Sequence, residues 1–268
     1  MREFSRIAGK NEIVCPADCR LQDLPGCQLN HKLTDGIIGA FMKRIAISMV
    51  LFLSLLSCYT QGTGRGTLEL SAGPSFPFGE FAYNSASFEG SGYAENGISF
   101  AISFEYRLKA HLGLVAMISG HIMGADESGL ASKYWQPEFG YDWTVESRPW
   151  ISNAYLGGLD IILPIYRSDF YFRLLGGFAS TRLPGLTGSA YNFQREVSKD
   201  IAAAWSIGSG LKYQDFDKVT LSIGFDFFVS NPVLDEAWSS DVPPPGSGKI
   251  VQNLVIFNLT AALGFRLF

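Results

Sequence analysis

The chain has 268 residues, a formal net charge of −4 and only 17% charged residues, a balance too mild to imply a nucleic-acid partner or a strongly charged surface. Hydrophobic residues make up 47% and aromatics 14%. Beyond residue 60, however, no apolar run approaches the roughly 18 residues a helical membrane span needs, which excludes helical spans there.

Near the start, Met42-Lys43-Arg44 precedes the 13-residue run "IAISMVLFLSLLS", which ends at Cys58. A basic segment followed by an apolar stretch of this length is the pattern of a signal peptide, and it falls short of the roughly 20 residues of a spanning helix. We expect a signal peptide over 42–60 and export of the chain beyond it. Secretory signals normally begin a protein, so 1–41 reads as an upstream extension from a start codon assigned too early. Cys15, Cys19 and Cys27 lie in that extension with His31, at a spacing that does not match zinc-binding patterns. The sequence "LLSC" around Cys58 is a loose lipobox in which Leu55 and Ser57 fit and Leu56 fits poorly. Two outcomes stay open: lipidation of Cys58, or ordinary cleavage nearby, for example after Thr60 or Gly62. No cysteine comes after Cys58, so the exported part uses no disulfides although its compartment would allow them.

From Thr67 onward one pattern recurs. In "ISFAISFEYRL", Ile98, Phe100, Ile102, Phe104, Tyr106 and Leu108 alternate with Ser99, Ala101, Ser103, Glu105 and Arg107. Successive strand side chains point to opposite faces, so this is a strand with one apolar and one polar face. Seven other segments behave alike: 67–75, 111–122, 153–163, 170–179, 203–214, 219–230 and 254–268. Each has about the 9–11 residues of a tilted membrane strand. The joins alternate strictly between short ("KA", "PIYRSD", "DFDK") and long, the rhythm of antiparallel strands with short periplasmic turns and long outer loops. The apolar rows are bulky and free of charge. The polar rows hold Ser, Gly and Ala, which fit a narrow interior, together with every strand-core charge. We therefore expect an all-β fold over 67–268: an eight-stranded antiparallel transmembrane β-barrel with its apolar face toward lipid.

These features resemble the small outer-membrane β-barrel families of Gram-negative bacteria, the group that includes OmpX, OmpW and the OmpA membrane domain. The opening "LELSAGPSFPFGEF" is similar to first strands of Bacteroidetes-type outer-membrane barrels. The resemblance implies residence in the outer membrane, contact with its lipid and lipopolysaccharide, and insertion by the barrel-assembly machinery. It also implies an assembly signal ending in Phe268. Here the apolar row falls on Leu263, Phe265 and Leu267 and Arg266 takes the next expected apolar place, so either a bulge shifts the frame or Phe268 turns inward. Because the family includes adhesins, structural anchors, small-solute channels and a few enzymes, the fold alone does not select an activity.

The inward rows carry four acids, Glu69, Glu105, Asp160 and Asp226, against four bases, Arg107, Arg173, Lys212 and Arg266. Buried charges are tolerable only when paired, so we expect a salt-bridge network plugging the lumen. The alternative is a charged path for small or hydrophobic solutes, as the OmpW resemblance implies. Ser119 and His121 could touch, with Asp160 or Glu105 orienting the imidazole. That would fit a lipid-A-modifying acyl hydrolase, a remote alternative because "SGH" lacks that family's residue order. His111, beside a turn, reads as a satisfied interior residue. Trp150, Tyr155, Trp205, Tyr213, Tyr106 and Phe170 read as interfacial girdles. Tyr134, Trp135, Tyr141, Trp143 and Trp238, on long loops, are candidates for contacting a partner or glycan. We expect no enzyme, no cofactor, no metal and no nucleic acid. The expected molecule is a monomeric, closed barrel whose surface loops serve adhesion, binding or envelope integrity.

Overall fold

The structure, a computed structural model, describes residues 66–85, 90–135, 143–189, 193–214, 218–239 and 248–267. The expected extension and signal peptide, with Cys15, Cys19, Cys27 and Cys58, lie outside the described residues, as do Tyr141 and Phe268. Along the chain come β1 (Gly66–Phe78), β2 (Ala94–Lys109), β3 (Leu112–Ala125), helix α1 (Glu127–Tyr134), β4 (Val145–Ser147), β5 (Trp150–Ile165) and β6 (Ser168–Arg182). They are followed by β7 (Leu186–Gly188), β8 (Gln194–Arg195), β9 (Lys199–Tyr213), β10 (Val219–Ser230), β11 (Val233–Asp235), β12 (Trp238–Ser239), β13 (Lys249–Val251) and β14 (Leu254–Arg266).

Eight of these strands, in the order β1-β14-β10-β9-β6-β5-β3-β2, form a closed antiparallel barrel. Closure comes from β14 pairing back onto β1, with Thr67 opposite Arg266 and Phe78 opposite Val255 in one unbroken register. Of the two alternatives at the end of β14, the bulge is absent up to Arg266, Leu267 faces outward, and Phe268 lies outside the described residues. A closed barrel leaves no strand edge unpaired, which is what lets a sheet cross a bilayer.

The alternation read from the sequence fixes which face is which. Ile98 is 59% exposed and Glu105 only 5%. The same inversion holds around the wall, where Leu70, Leu159, Leu174, Ile207, Ile223 and Leu259 are all exposed. Such a wall would be unfavourable in water, whereas against hydrocarbon it is the favoured arrangement. The chain is a transmembrane barrel of the outer-membrane type. Ser209 is an outward polar residue and yet buried. It lies between Phe172 and Phe225 of the neighbouring strands, and its hydroxyl donates to the Tyr171 carbonyl at 3.0 Å, so it presents no unpaired polar group to lipid.

The barrel strands run 12–16 residues, longer than the bilayer alone requires. The excess continues beyond the membrane and carries a structured cap. The long joins, expected as irregular loops, contain α1, a four-stranded sheet in the order β12-β8-β7-β4, and the ribbon β11–β13. These cap strands are two or three residues long, too short for alternation to register in the sequence.

Leu174 sits at the middle of β6 on the lipid face. Replacing it with Arg is expected to cost about 2–4 kcal/mol of folding free energy in a bilayer. The same change at Tyr166, on the β5–β6 turn, should cost little. Equilibrium refolding into lipid vesicles measures both, and equal losses would contradict the assigned membrane position.

Candidate functional site

The interior is layered. Toward the short-turn end lies a network of charges contributed by β1, β2, β5, β6 and β9. Arg173 donates Nε and Nη2 to the two carboxylate oxygens of Asp160, at 2.9 and 2.8 Å, and Asp160 is fully buried. This bidentate geometry is the strongest form of such a pair. Lys212 bonds Glu105 and lies 3.1 Å from Glu69, while Ser222 donates to Glu69. Below them Arg107 and Gln214 both donate to Asp169. The Tyr171 ring fills the centre, with the Arg173 and Lys212 cations 5.1 and 4.8 Å from its centroid. Glycines face that ring for a steric reason: a Cβ at Gly210 or Gly224 would stand 2.6 or 2.5 Å from the Tyr171 hydroxyl.

Two of the eight charges expected to pair across the lumen stand apart. Asp226 accepts from Asn258 at 2.9 Å and from Ser206 at 3.4 Å, with no cation within ion-pair distance among the described residues. Arg266 donates to the side chain and carbonyl of Gln214, at 2.9 and 3.3 Å, and pairs with no carboxylate among the described residues. Their register explains this. Asn258 is opposite Asp226 while Arg266 lies eight residues farther along β14, roughly 26 Å at strand rise. In contrast, Asp169 belongs to the network although its sequence position reads as a turn, because β6 begins at Ser168.

Ser119 and His121 are buried neighbours on the inward row but do not hydrogen-bond each other. His121 Nε2 meets Asn258 at 3.2 Å, and the Ser119 hydroxyl has no partner among the described residues. Asp160 and Glu105, the expected orienting groups, are held by Arg173 and Lys212. The nucleophile–base arrangement that a hydrolase would need is therefore not assembled. His111 lies exposed at the β2–β3 turn and its Nδ1 meets the Ile162 carbonyl at 3.1 Å.

Toward the long-loop end the lumen turns apolar. Met123, Trp150, Phe228, Leu254 and Ile256 point inward and pack with Phe81, Leu183 and Leu234 as a plug. Trp150 was expected at the lipid interface. Instead it is buried, stacks edge-on against Phe81 at 5.2 Å and donates to the Gly92 carbonyl at 3.2 Å. Trp205 pairs with Gly176 near the middle of its strand, away from either interface. Tyr155 stacks on Phe178, and Phe170 meets Phe172 edge-on, both on the outer wall. A sequence signal for the plug exists. Doubled apolar residues such as Phe227-Phe228 and Val255-Ile256 put one side chain on each face.

Above the plug the loop aromatics pack together rather than projecting as free contacts. Tyr134 and Trp143 are buried with Tyr93, Leu130, Val145, Leu186 and Phe193. Trp238 packs against Tyr134 at 5.0 Å and Phe193 at 4.9 Å. Trp135 is 48% exposed. A buried latch ties three loops together. Arg195 bonds Glu236 at 2.9 Å and the Tyr134 hydroxyl at 3.2 Å, and it donates twice to the Pro184 carbonyl. Burial holds the Tyr134 phenol well above its ordinary pKa, so it stays a neutral partner in the latch. At the start of α1, Asp126 caps the helix by accepting from the Gly129 N–H at 2.9 Å. That bond, with Ser128 donating at 2.7 Å, holds its carboxyl below the usual carboxylate range.

No protein-family model matches the chain, and no curated protein matches it. Among solved structures it is similar to Ail, the attachment invasion locus protein of Yersinia pestis, at 9% identity over 76% of this chain and 99% of that one (TM-score 0.42). It is also similar to Neisserial surface protein A, at 14% identity over 76% and 98% (TM-score 0.39). A third likeness is to the outer membrane protease OmpT from Escherichia coli, at 10% identity over 77% and 99% (TM-score 0.44). The barrel assignment itself rests on strand order, register and the charge-free outer wall.

Asp160→Asn removes the bidentate partner of the Arg173 guanidinium, leaving only the Glu69 carboxylate, at 4.0 Å, among the described residues. It is expected to destabilise the barrel by about 3–5 kcal/mol, read from urea refolding curves. A loss under about 1 kcal/mol would deny the pair its structural role. The cap gives a second test. Asp126 has a lowered folded-state pKa, so its contribution is present above the ordinary carboxylate value near 4 and disappears as pH falls through the lowered one. The protection factors of the α1 amides, corrected for the intrinsic exchange rate, should therefore fall below about pH 4 in the wild type, and Asp126→Ala should lose roughly 1 kcal/mol of helix protection at pH 7.

Proposed function

We propose that this chain is a non-enzymatic outer-membrane barrel with a closed lumen, and that its working surface is the folded cap at the long-loop end. The observation that carries this reading is the Arg195 latch. A buried guanidinium joining Tyr134, Pro184 and Glu236 commits a charge to holding three loops in one shape. A pre-ordered surface loses less conformational entropy on contact than mobile loops would, which favours recognition. Exposed apolar side chains at the same end, Tyr83, Trp135, Val197, Val233 and Val251, provide area for contact with a surface or ligand outside the cell. Solute passage is disfavoured by two successive obstructions, the ion-pair layer and the apolar plug. Acyl hydrolysis is disfavoured because, among the described residues, Ser119 has no base within hydrogen-bond reach.

Replacing residues 126–149 with a short Gly-Ser turn would remove α1 and β4 while leaving the barrel strands intact. Cells displaying the wild type are expected to adhere to host-matrix or glycan surfaces several-fold better than cells displaying this variant at equal surface density. Equal adherence would remove the contact role.

A further inference from the structure

Between the ion-pair layer and the apolar plug the lumen keeps a cavity of about 40 Å³, which Ser119, His121, Ser206, Asp226 and Asn258 help to line. A water-sized guest needs roughly 10–15 Å³, so the space admits a small polar species and its hydration partners.

The charges around it do not balance. Facing the lumen are Glu69, Glu105, Asp160, Asp169 and Asp226. The cations nearest them, Arg107, Arg173 and Lys212, are all bonded to the first four. Arg266 is at the far mouth, held by Gln214. His121 cannot supply the missing charge. Asn258 has its oxygen on the Ser75 hydroxyl at 2.6 Å, and its two N–H bonds go to Asp226 and to His121 Nε2. The ring nitrogen that accepts from an amide carries no proton, so the imidazole stays neutral with its proton on Nδ1. Both bonds to Asp226 fall on Oδ2, and Oδ1 accepts none from a described residue. Ser119 is 6% exposed, and its buried hydroxyl has no partner among the described residues.

We propose that this cavity is a binding site for a monovalent cation, Na⁺ or K⁺, held by Asp226 Oδ1 and by cavity hydroxyl oxygens, Ser119 among them. One carboxylate supplies the single charge such an ion needs, and neutral oxygens complete its shell. A divalent ion or transition metal fits poorly. Among the described residues no three His, Cys, Asp or Glu side chains gather closely enough to hold one. Arg173 borders the cavity but is committed to Asp160; with Arg266 counted, five inward acids face four bases, and the bound ion supplies the one missing positive charge.

Thermal unfolding of the full chain, refolded into detergent in NaCl, KCl or choline chloride at equal ionic strength, tests the site. One alkali salt is expected to raise the Tm by about 5 °C or more over choline when saturating, and Asp226→Asn should abolish the difference. Equal midpoints in all three salts would mean a proton neutralises Asp226 and would overturn the proposal. An increment that persists undiminished in Asp226→Asn would overturn it as well. Should that variant not fold, wild-type crystals grown with Tl⁺ decide the matter: an anomalous peak bonded to Asp226 Oδ1 supports the site, and no peak there refutes it.

Discussion

An eight-stranded barrel has an interior just wide enough for side chains, and that constraint governs the rest of this structure. Inward residues cannot be solvated by a water column, so each buried charge must find its partner within the wall. Arg173 and Asp160 pair between the neighbouring strands β6 and β5, and the other close charge pairs of the lumen reach across the barrel. Lys212 of β9 meets Glu105 of β2 and Glu69 of β1, and Arg107 of β2 meets Asp169 of β6. These are bonds across the bore, between strands that do not pair as sheet neighbours. They turn a hoop of strands into a filled cylinder. Removing one partner leaves a buried uncompensated charge, which costs far more than the pair contributes on balance.

Much of this was legible in the sequence because a barrel strand repeats every two residues. Ile98 to Leu108 alternates without a fault, and the exposed and buried rows track it along the strand. The inward charges could be counted, but their partners could not. Partnership depends on register and stagger around the closed sheet, and one sequence carries neither. Asp226 and Arg266 look like an available pair in a tally, yet the register separates them by most of the length of β14. Asp169 looks like a turn residue, yet β5 and β6 zip down to the tight pair Ile165–Ser168 and bring it inside.

The cap escaped sequence reading for a different reason. Its strands are two or three residues long, and α1 has only eight residues with no pronounced apolar stripe. Its order comes from tertiary contacts: the Arg195 latch, the ring cluster around Phe193, and Glu127 accepting from the Ser147 N–H at 2.8 Å. Tyr134, Trp143 and Trp238, which suggested exposed contacts, therefore belong to a small second core, while Trp135 stays exposed. Trp150 shows the same override. At a strand end, Trp commonly marks a lipid interface, but the register of β5 turns this one into the lumen, where Phe81 and the Gly92 carbonyl receive it.

That the lumen is sealed is tested most directly by single-channel recording of the refolded chain in a planar bilayer. A barrel filled by the Lys212–Glu105 and Arg173–Asp160 layer and stoppered by Trp150 and Phe228 should give no steady current at moderate voltage. Reproducible ohmic openings of the wild-type protein would contradict it and make passage through the lumen the function to pursue.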